Sequence, residues 1–248
     1  MKFSVITAVR NGASTIPDTL RSVNEQTWPL VEHVVIDACS TDGTTDIARH
    51  GAQRELKLIS ERDDGVYDAF NKGLREATGD VIAFLNADDF YRNDKVLETV
   101  ASTFAEHDVD CVFGNVDFVG QQDLETIVRH YDSGAFAPSK LRMGFMPAHP
   151  ATFIRKSLFD KIGGFDATYS IGGDFEFVAR AFGRFEASYK YIPKTLTVMR
   201  VGGLSTRGIS SKWTITKEIV RACKANGIST NYLWALSRTF LKAREIRL

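Results

Sequence analysis

Residues 3–20 read FSVITAVRNGASTIPDTL, a β-branched apolar run followed by a segment rich in helix-start residues. The run Phe3–Val9 has the composition of a buried strand. Ser14, Thr15 and Pro17 are residue types that favour the first turn of a helix. The stretch therefore predicts a strand that leads directly into a helix.

The same strand and helix unit recurs along the next part of the chain. An apolar run at 33–36 precedes a helical segment at 44–54, and further strands are predicted at 56–60 and 80–85, with a helix at 66–77 between them. Alternation of this kind needs crossover connections, which place parallel strands side by side with helices on both faces. The sequence thus predicts an α/β fold with a mostly parallel central sheet.

The pattern changes in the second half of the chain. Strands are predicted at 111–119, 126–131 and 151–154, a loop-rich region at 143–150, a short helix from Lys156 and another helix beginning near Asp174. We expect residues 1–206 to form one domain and 207–248 to form a helical tail. The loop-rich region is where the acceptor side of a site could be built.

Polar residues follow each of the first four predicted strands. They are Arg10 and Asn11, then Asp37, then Glu61, and finally the group 86–89. In sheets of this type ligands bind at the carboxyl ends of the strands. We therefore expect these residues to meet at one edge of the sheet and to form a binding site there.

Composition narrows the class of protein. Of the 248 residues, 44% are hydrophobic and 25% charged, as in ordinary globular domains. Thirty-one basic residues balance thirty-one acidic ones, which argues against a nucleic-acid partner. The three cysteines show no CxxC pattern, and no apolar run approaches the roughly 18 residues of a membrane span. A cytoplasmic protein is expected.

The most informative short motif is the pair Asp88 and Asp89, which follows the apolar run at the end of the fourth strand. Neither GxGxxG nor GxxxxGK[ST] is present, so the sequence gives little support to a nicotinamide cofactor or to ATP hydrolysis. Carboxylate oxygens in this position suit Mg²⁺ or Mn²⁺ bridging a diphosphate. The alternative is that the pair caps the following turn.

Six segments together resemble the motifs of family 2 glycosyltransferases with the GT-A fold, in order and spacing. They are SVITAVRNG, VIDACSTDGT, ERDDGVYDAFNKG, FLNADD, IGGFDATYSIGGDFEFVAR and GGLS, which cover about residues 3–205. The similarity is greatest to bacterial enzymes that assemble exopolysaccharide or lipid-linked repeat units, such as colanic acid transferases. The resemblance implies a GT-A fold and transfer of a sugar from a nucleotide diphosphate donor.

On the donor side, the resemblance implies contacts with a nucleotide sugar. The residues it assigns there are Ala8, Val9, Arg10, Asp37, Asp64, Lys72, Asn86, Ala87 and Asp88. It places Asp37 near the base and ribose, although a loop cap would explain Asp37 too. Lys72 would pair with the diphosphate, or else belong to a solvated helix face.

The chain departs from the common family pattern at two donor-side positions. Ala38 replaces the second Asp of a frequent pair, which puts the identity of the base in doubt. Asn86 stands where many members have the first Asp of the DxD motif, and it brings no charge. Metal binding is therefore expected mainly from Asp88, with Asp89 as support, and the cofactor is expected to be Mn²⁺ or Mg²⁺.

On the acceptor side, the resemblance assigns Asp174 as the catalytic base of an inverting reaction. The alternative is that Asp174 caps the following helix. Gly173 precedes it where many relatives have Glu. Further contacts with acceptor or phosphate are assigned to His149, Glu176 and Arg200. The alternative for His149 is a structural role. The alternative for Arg200, together with residues 202–205, is a simple turn.

The implied function is an inverting, metal-dependent glycosyltransferase acting on a hydroxyl acceptor. The acceptor would be a lipid-linked saccharide in bacterial surface polysaccharide assembly. One alternative is a sugar nucleotidyltransferase. That class needs a glycine-rich, basic loop after the first strand, and residues 10–12 contain too few glycines and basic residues for it. Another is a nucleotide- or carbohydrate-binding module without catalysis, which Asn86 and Gly173 make conceivable.

The tail is basic and carries an apolar stripe. From Arg207 onward nine Lys or Arg stand against two acidic residues, a net charge of about +7. Apolar side chains recur at helical spacing at Tyr232, Leu233, Leu236, Phe240 and Leu241. This predicts an interfacial helix at the inner face of the plasma membrane. Packing on the domain or on a second subunit is the alternative.

Overall fold

The computed structural model describes residues 1–202 and 208–242. The strands are β1 (Phe3–Val9), β2 (Val31–Asp37), β3 (Glu55–Ser60), β4 (Val81–Phe84), β5 (Phe90–Tyr91), β6 (Cys111–Val119), β7 (Ile127–Tyr131), β8 (Thr152–Arg155) and β9 (Tyr189–Arg200). The helices are α1 (Ile16–Asn24), α2 (Thr44–Gly51), α3 (Val66–Glu76), α4 (Val96–Glu106), α5 (Lys156–Ile162), α6 (Gly173–Val178), α7 (Gly208–Ala225) and α8 (Tyr232–Lys242).

The strands form one sheet in the order β3, β2, β1, β4, β8, β6, β9, β5, and β7 pairs with β6. The first four strands are parallel, as the sequence predicts. Beyond them the sheet is mixed, because β8 is antiparallel to both β4 and β6. The short loop between β6 and β7 permits only an antiparallel hairpin. The α/β GT-A prediction is confirmed; in the second half β6 and β9 pair in parallel, whereas β5, β7 and β8 pair antiparallel.

Both faces of the sheet are buried under helices. Side chains alternate between the faces along β1, so that Phe3 and Val5 enter one hydrophobic cluster and Ile6 enters the other. Helix α4 packs on the Val5 side, where Leu97 and Val100 are fully buried. Helices α3, α6 and α7 supply residues to the Ile6 side. This double cover fixes the carboxyl edge of β1, β2 and β4 as a rigid frame.

Helix α7, which the sequence assigns to the tail, is packed into this core. Its residues Ile219, Ala222 and Cys223 are buried in the same cluster as Ile6. The boundary predicted at residue 206 falls among residues outside the described ranges and stays a prediction. In the parts of the chain that the structure describes, no helix combines the length and the apolar character needed to cross a bilayer.

Candidate active site

The loops that follow β1, β2 and β3 are tied to one another at the carboxyl edge of the sheet. Ala38 donates its backbone N–H to the carbonyl of Val9 over 2.8 Å, and Glu61 donates to the carbonyl of Asp37 over 2.9 Å. Asn11 donates its backbone N–H to the Ser40 hydroxyl at 2.7 Å. The expected convergence of these loops is therefore present in the structure.

Asp37, at the end of β2, is fully buried beneath this edge. Its Oδ2 accepts hydrogen bonds from the Ser40 N–H at 3.0 Å and from the Ser60 hydroxyl at 2.6 Å. Its Oδ1 is buried without a hydrogen-bond partner among the described residues. Asp37 therefore does cap its loop, and it also keeps one acceptor atom for which the described chain supplies no donor.

The residues 8–10, assigned to the base and ribose, and Ala87, assigned to the nucleotide sugar, lie at or just beyond the carboxyl ends of β1 and β4. Ala8 is half-buried, Val9 is buried and Arg10 is exposed at the end of β1. Ala87 is buried against Val9 in a small cluster with α1. The structure brings all four to the loops that surround Asp37, and their contact with a nucleotide stays a prediction.

Asp88 and Asp89 lie in different environments although they are adjacent. The Asp88 side chain is half-buried, with its own backbone N–H as a hydrogen-bond donor and the positive charge of Arg200 nearby. Asp89 is 1% exposed, and its Oδ2 accepts a hydrogen bond of 2.9 Å from the Asn86 amide. Burial raises the pKa of Asp88, and burial together with the Asp88 charge raises the pKa of Asp89 well above its usual value.

This geometry is compatible with Asp88 as a carboxylate for a divalent cation, because burial raises its pKa and a cation would offset the cost of that burial. Asp89 is enclosed by the protein: one of its oxygens accepts from the Asn86 amide, and the other is buried without a hydrogen-bond partner among the described residues. The assignment of both residues to a metal stays a prediction. The described residues contain no cluster of three potential ligands. Mg²⁺ and Mn²⁺ commonly use one or two carboxylates plus diphosphate oxygens.

Arg200, at the end of β9, holds the turn that carries Asp88. Its guanidinium donates to the backbone carbonyl of Asp88 at 2.6 Å and forms an ion pair with Asp18 of α1. The residue is 5% exposed. Both terminal nitrogens of Arg200 thus have partners within the protein, and its predicted contact with phosphate or acceptor stays a prediction. The turn at 202–205 extends into residues outside the described ranges.

The start of α3 is less open to a diphosphate than the sequence suggests. Lys72 forms ion pairs with Glu61 at 2.9 Å and Asp68 at 3.4 Å, and these carboxylates raise its pKa. The positive charge assigned to the diphosphate thus already has two carboxylate partners. The Lys72 side chain is 14% exposed, so it does not lie on a solvated helix face, and its contact with a diphosphate stays a prediction. Asp64 is exposed in the loop before the helix and accepts no hydrogen bond on its side chain within the described residues.

Asp174 is the second residue of α6 and lies half-buried at its start. The residue before the helix is Gly172, so the interpretation of Asp174 as the helix cap is wrong. Its Oδ1 accepts the N–H of Phe175 at 2.7 Å and lies 3.4 Å from the Tyr67 hydroxyl. Its Oδ2 has no hydrogen-bond partner within the described residues. One carboxylate oxygen is therefore free to accept a proton.

His149 lies in an aromatic cluster close to Asp174. Its ring centroid is 5.3 Å from that of Phe84, 5.6 Å from Phe70 and 5.8 Å from Phe165. Burial lowers the pKa of His149, while the negative charge of Asp174 acts in the opposite direction. Ring contacts connect Asp174 to the end of β4: the Tyr67 hydroxyl lies 3.4 Å from Asp174 Oδ1, the Tyr67 and Phe70 ring centroids are 6.3 Å apart, and Phe70 is 4.7 Å from Phe84, the last residue of β4.

Glu176 is buried and already has partners on both carboxylate oxygens. It is 6% exposed and forms an ion pair with Arg180 at 2.9 Å, while Asn226 of the carboxyl-terminal region donates to its other oxygen at 3.3 Å. These contacts do not favour the prediction that Glu176 contacts the acceptor or replaces Asp174, which stays a prediction.

Two residues beside Asp174 were not among the site residues predicted from the sequence. Tyr67 stands within the ERDDGVYDAFNKG motif, where its place at the buried face of α3 was the available signal. In the sequence, Glu218 on α7 is one of the two acidic residues of the basic tail. No local pattern indicated its hydrogen-bond partners. The structure shows that both contact the segment that precedes Asp174.

A family profile described as Glycosyl transferase family 2 matches residues 4–171. The chain belongs to glycosyltransferase family 2. It is 34% identical over 211 residues to a PGL/p-HBAD biosynthesis glycosyltransferase of Mycobacterium tuberculosis, covering 82% of this chain and 78% of the relative. It is 33% identical over 187 residues to glycosyltransferase AglE of Haloferax volcanii, covering 72% of this chain and 60% of that one.

Solved structures share the fold of this family 2 member at low sequence identity. S. aureus TarS in complex with UDP-GlcNAc aligns with a TM-score of 0.70 and 20% identity, covering 100% of this chain and 77% of that one. Mannosyltransferase PcManGT from Pyrobaculum calidifontis, in complex with GDP-Man and Mn²⁺, aligns with a TM-score of 0.66 and 21% identity, covering 100% of this chain and 76% of that one. The chain spans 41% of a longer TarS chain. These likenesses establish the GT-A fold.

Proposed function

We propose that this glycosyltransferase transfers a sugar from a nucleotide diphosphate donor to a hydroxyl acceptor with inversion, using Asp174 as general base. The observation that carries the proposal is the free Oδ2 of Asp174 beside the carboxyl edge of β4. Asp88, a half-buried carboxylate, follows the end of the same strand. A base and a cation ligand at one edge are what this transfer needs.

The reaction follows from the roles of these groups. The acceptor oxygen attacks the anomeric carbon opposite the nucleotide, Asp174 takes the hydroxyl proton, and the bond between the anomeric carbon and the phosphate oxygen breaks. A glycoside of inverted configuration and a nucleoside diphosphate result. Asp88 would hold Mn²⁺ or Mg²⁺, and that cation when bound would neutralise charge on the departing diphosphate. Arg200 keeps Asp88 in place through its backbone carbonyl.

The nearby residues set the surroundings of this chemistry. The Phe84 and Phe70 rings exclude water from one side of His149, so the pKa of His149 is lowered and its neutral form is favoured near neutral pH. A neutral imidazole keeps both a donor and an acceptor for acceptor hydroxyls. The Asp37 oxygen that lacks a partner in the described chain is proposed to accept a hydrogen bond from the base of the nucleotide.

A lipid-linked saccharide of bacterial surface polysaccharide assembly is the proposed acceptor, which requires contact with a membrane surface. Large side chains on α7 and α8 support this: Trp213 is 48% exposed and Leu233 is 79% exposed, and Tyr232, Trp234 and Leu236 are exposed beside them. Lys217 lies over the Trp213 ring at 5.4 Å and Arg142 over Trp234 at 3.8 Å.

The chemistry of this surface matches an anionic bilayer at the inner face of the plasma membrane. Tryptophan and tyrosine favour the boundary between lipid and water, and each basic residue near an anionic surface contributes about 1 kcal/mol. A second copy of the chain is the competing occupant. Co-sedimentation with phosphatidylglycerol vesicles, alongside light scattering, separates the two: dimerisation without vesicle binding would contradict the membrane proposal.

The proposed activity is tested by titrating UDP and GDP, each with and without Mn²⁺, and then by assaying hydrolysis of UDP-GlcNAc and GDP-mannose. Metal-dependent binding followed by release of nucleoside diphosphate supports a transferase. Binding without turnover on a wider panel of nucleotide sugars would instead indicate a binding module. Release of pyrophosphate from a nucleoside triphosphate and a sugar phosphate would indicate a nucleotidyltransferase.

A further inference from the structure

Glu218, on α7, is a buried carboxylate whose partners are backbone amides from one short segment. Its Oε1 accepts the N–H of Ser170 at 2.7 Å, and its Oε2 accepts those of Ile171 at 3.0 Å and Gly172 at 2.7 Å. The residue is 9% exposed, and no Lys or Arg of the described chain lies within ion-pair distance of it. Three amides therefore balance its charge.

The segment that Glu218 holds leads directly into the helix that carries Asp174. Gly172 is the residue before α6, and Asp174 is two residues further on. Amides at the start of a helix have no partner within the helix, and a carboxylate is favoured there by the helix dipole. Hydrogen bonds to an ionised acceptor are also stronger than neutral ones. Glu218 thus fixes the backbone from which the Asp174 side chain extends.

Tyr67 holds the same segment from the opposite side. Its hydroxyl donates a hydrogen bond to the carbonyl of Ile171 and lies 3.4 Å from Asp174 Oδ1. Burial raises the pKa of Tyr67, so the phenol stays protonated and remains a donor. The backbone N–H of Ile171 is thus bound by Glu218, and the backbone carbonyl of Ile171 is bound by Tyr67.

Two glycines allow this close approach. A Cβ added to Gly172 would lie 3.1 Å from Glu218 Oε2, and one added to Gly173 would lie 2.8 Å from ring carbons of Tyr67. The second distance is too short for a side chain at 173 unless the buried ring moves. This explains physically why Gly stands at 173 in this chain.

We infer that Glu218 is a positioning residue for Asp174, so that α7 completes the active site from the carboxyl-terminal region. The inference rests on the proposed role of Asp174 as base. A displacement of about 1 Å at a reacting group can lower the rate about 100-fold, even when it originates away from the chemistry. Loosening the segment 170–172 should therefore reduce turnover without changing donor affinity.

The test is Glu218→Gln, assayed by Mn²⁺-dependent hydrolysis of UDP-GlcNAc or GDP-mannose, in which water replaces the acceptor. Glutamine has the same shape as glutamate, but its amide nitrogen is a donor and cannot accept hydrogen bonds from the backbone N–H groups that the carboxylate oxygen bound. We expect kcat to fall about 10- to 100-fold, with KM and the nucleoside diphosphate Kd unchanged. Hydrogen exchange of the amides at 170–172 should become faster, which is a readout independent of activity.

Glu32→Gln is the matched control. Glu32 is a fully buried carboxylate at the opposite end of β2, bonded to the Ser4 and Thr78 hydroxyls and the Thr78 amide and, unlike Glu218, also paired with Lys2 at 2.9 Å and Lys57 at 3.6 Å. This variant should lose stability and leave both kcat and the exchange at 170–172 as in the parent. If Glu218→Gln does not fold, Glu218→Asp, which keeps the charge on a shorter side chain, carries the same measurements.

Combination with Asp174→Asn separates the two proposals. If Glu218 acts through Asp174, adding Glu218→Gln to Asp174→Asn should not lower the residual rate further. A further drop of the same size as in the parent background, or a parental kcat in Glu218→Gln, would overturn the positioning role alone. Full turnover by Asp174→Asn would instead overturn the proposed function.

Discussion

The replacement Asp174→Asn separates catalysis from structure at the centre of the proposed site. Asparagine keeps an oxygen that accepts the Phe175 N–H and lies near the Tyr67 hydroxyl, so the contacts of Oδ1 persist. What disappears is the negative charge and the free oxygen that would take the acceptor proton. The substitution therefore removes the proposed chemistry while it preserves the local hydrogen bonds.

The expected magnitudes differ greatly between the two roles. A charge in the first turn of a helix contributes about 0.3 to 1 kcal/mol through the helix dipole. For a chain of this size that corresponds to a decrease in melting temperature of about 1 to 4 °C. General base catalysis contributes about 10² to 10⁴ in rate. The variant should therefore melt almost as the parent does and lose at least 99% of its turnover, about the lower limit of that range.

The assay measures melting temperature, nucleoside diphosphate affinity and the rate of donor hydrolysis on the same preparation. Affinity should be unchanged, because the proposed role of Asp174 is toward the acceptor and not toward the nucleotide. A variant that turns over as fast as the parent while folded would refute the assignment of the base. Since Glu176 is paired with Arg180, the search would then move to His149.

Further changes test the remaining contacts. Gly173→Ala should lower the free energy of unfolding by about 1 to 3 kcal/mol, because the added Cβ would lie 2.8 Å from the Tyr67 ring; an unchanged urea midpoint would contradict this. Asp88→Ala should abolish Mn²⁺-dependent binding of UDP or GDP in calorimetry, whereas Asp89→Asn should retain it. Equal losses of binding in the two variants would indicate that Asp89 is a metal ligand as well. Burial raises the pKa of Asp89, so the folded state prefers its protonated form, and the stability it contributes is present below its unfolded pKa of about 4 and lost as pH rises. The difference in unfolding free energy between the parent and Asp89→Asn (parent minus variant) should therefore decrease from pH 4 to pH 7. Denaturant titrations in which this difference increases with pH would contradict the prediction. Leu233→Asp should reduce co-sedimentation with phosphatidylglycerol vesicles and leave donor hydrolysis unchanged, and full vesicle binding would remove α8 from the membrane contact.

Local pattern determined the frame of the site and the residues at the ends of its strands. Strand β6 begins and ends where the sequence predicts, and α3 ends one residue earlier than predicted. The convergence of the loops after Val9 and Asp37 followed from the rule that parallel strands end at one edge. These features depend on nearest-neighbour periodicity, which the sequence carries directly.

Strand β9 escaped prediction for a physical reason. Its sequence YKYIPKTLTVMR contains lysines and a proline, which interrupt the alternation that marks a strand. It belongs to the sheet because β6 lies beside it along most of its length. Helix α4 was also not predicted, although Leu97, Val100 and Phe104 lie at helical spacing on its buried face.

The sequence by itself determined the α/β frame, the Asp88 carboxylate at a strand end and the position of Asp174 near the start of a helix. Only the tertiary structure decided which polar side chains are free to act. It paired Glu176 with Arg180, Lys72 with Glu61, and Arg200 with Asp18, so that three residues assigned to ligand contact already have charged partners within the protein. It also brought Glu218 from α7 to the amides before Asp174. Partners so distant along the chain leave no periodic signal, because a hydrogen bond depends on where the folded backbone places its donors and acceptors.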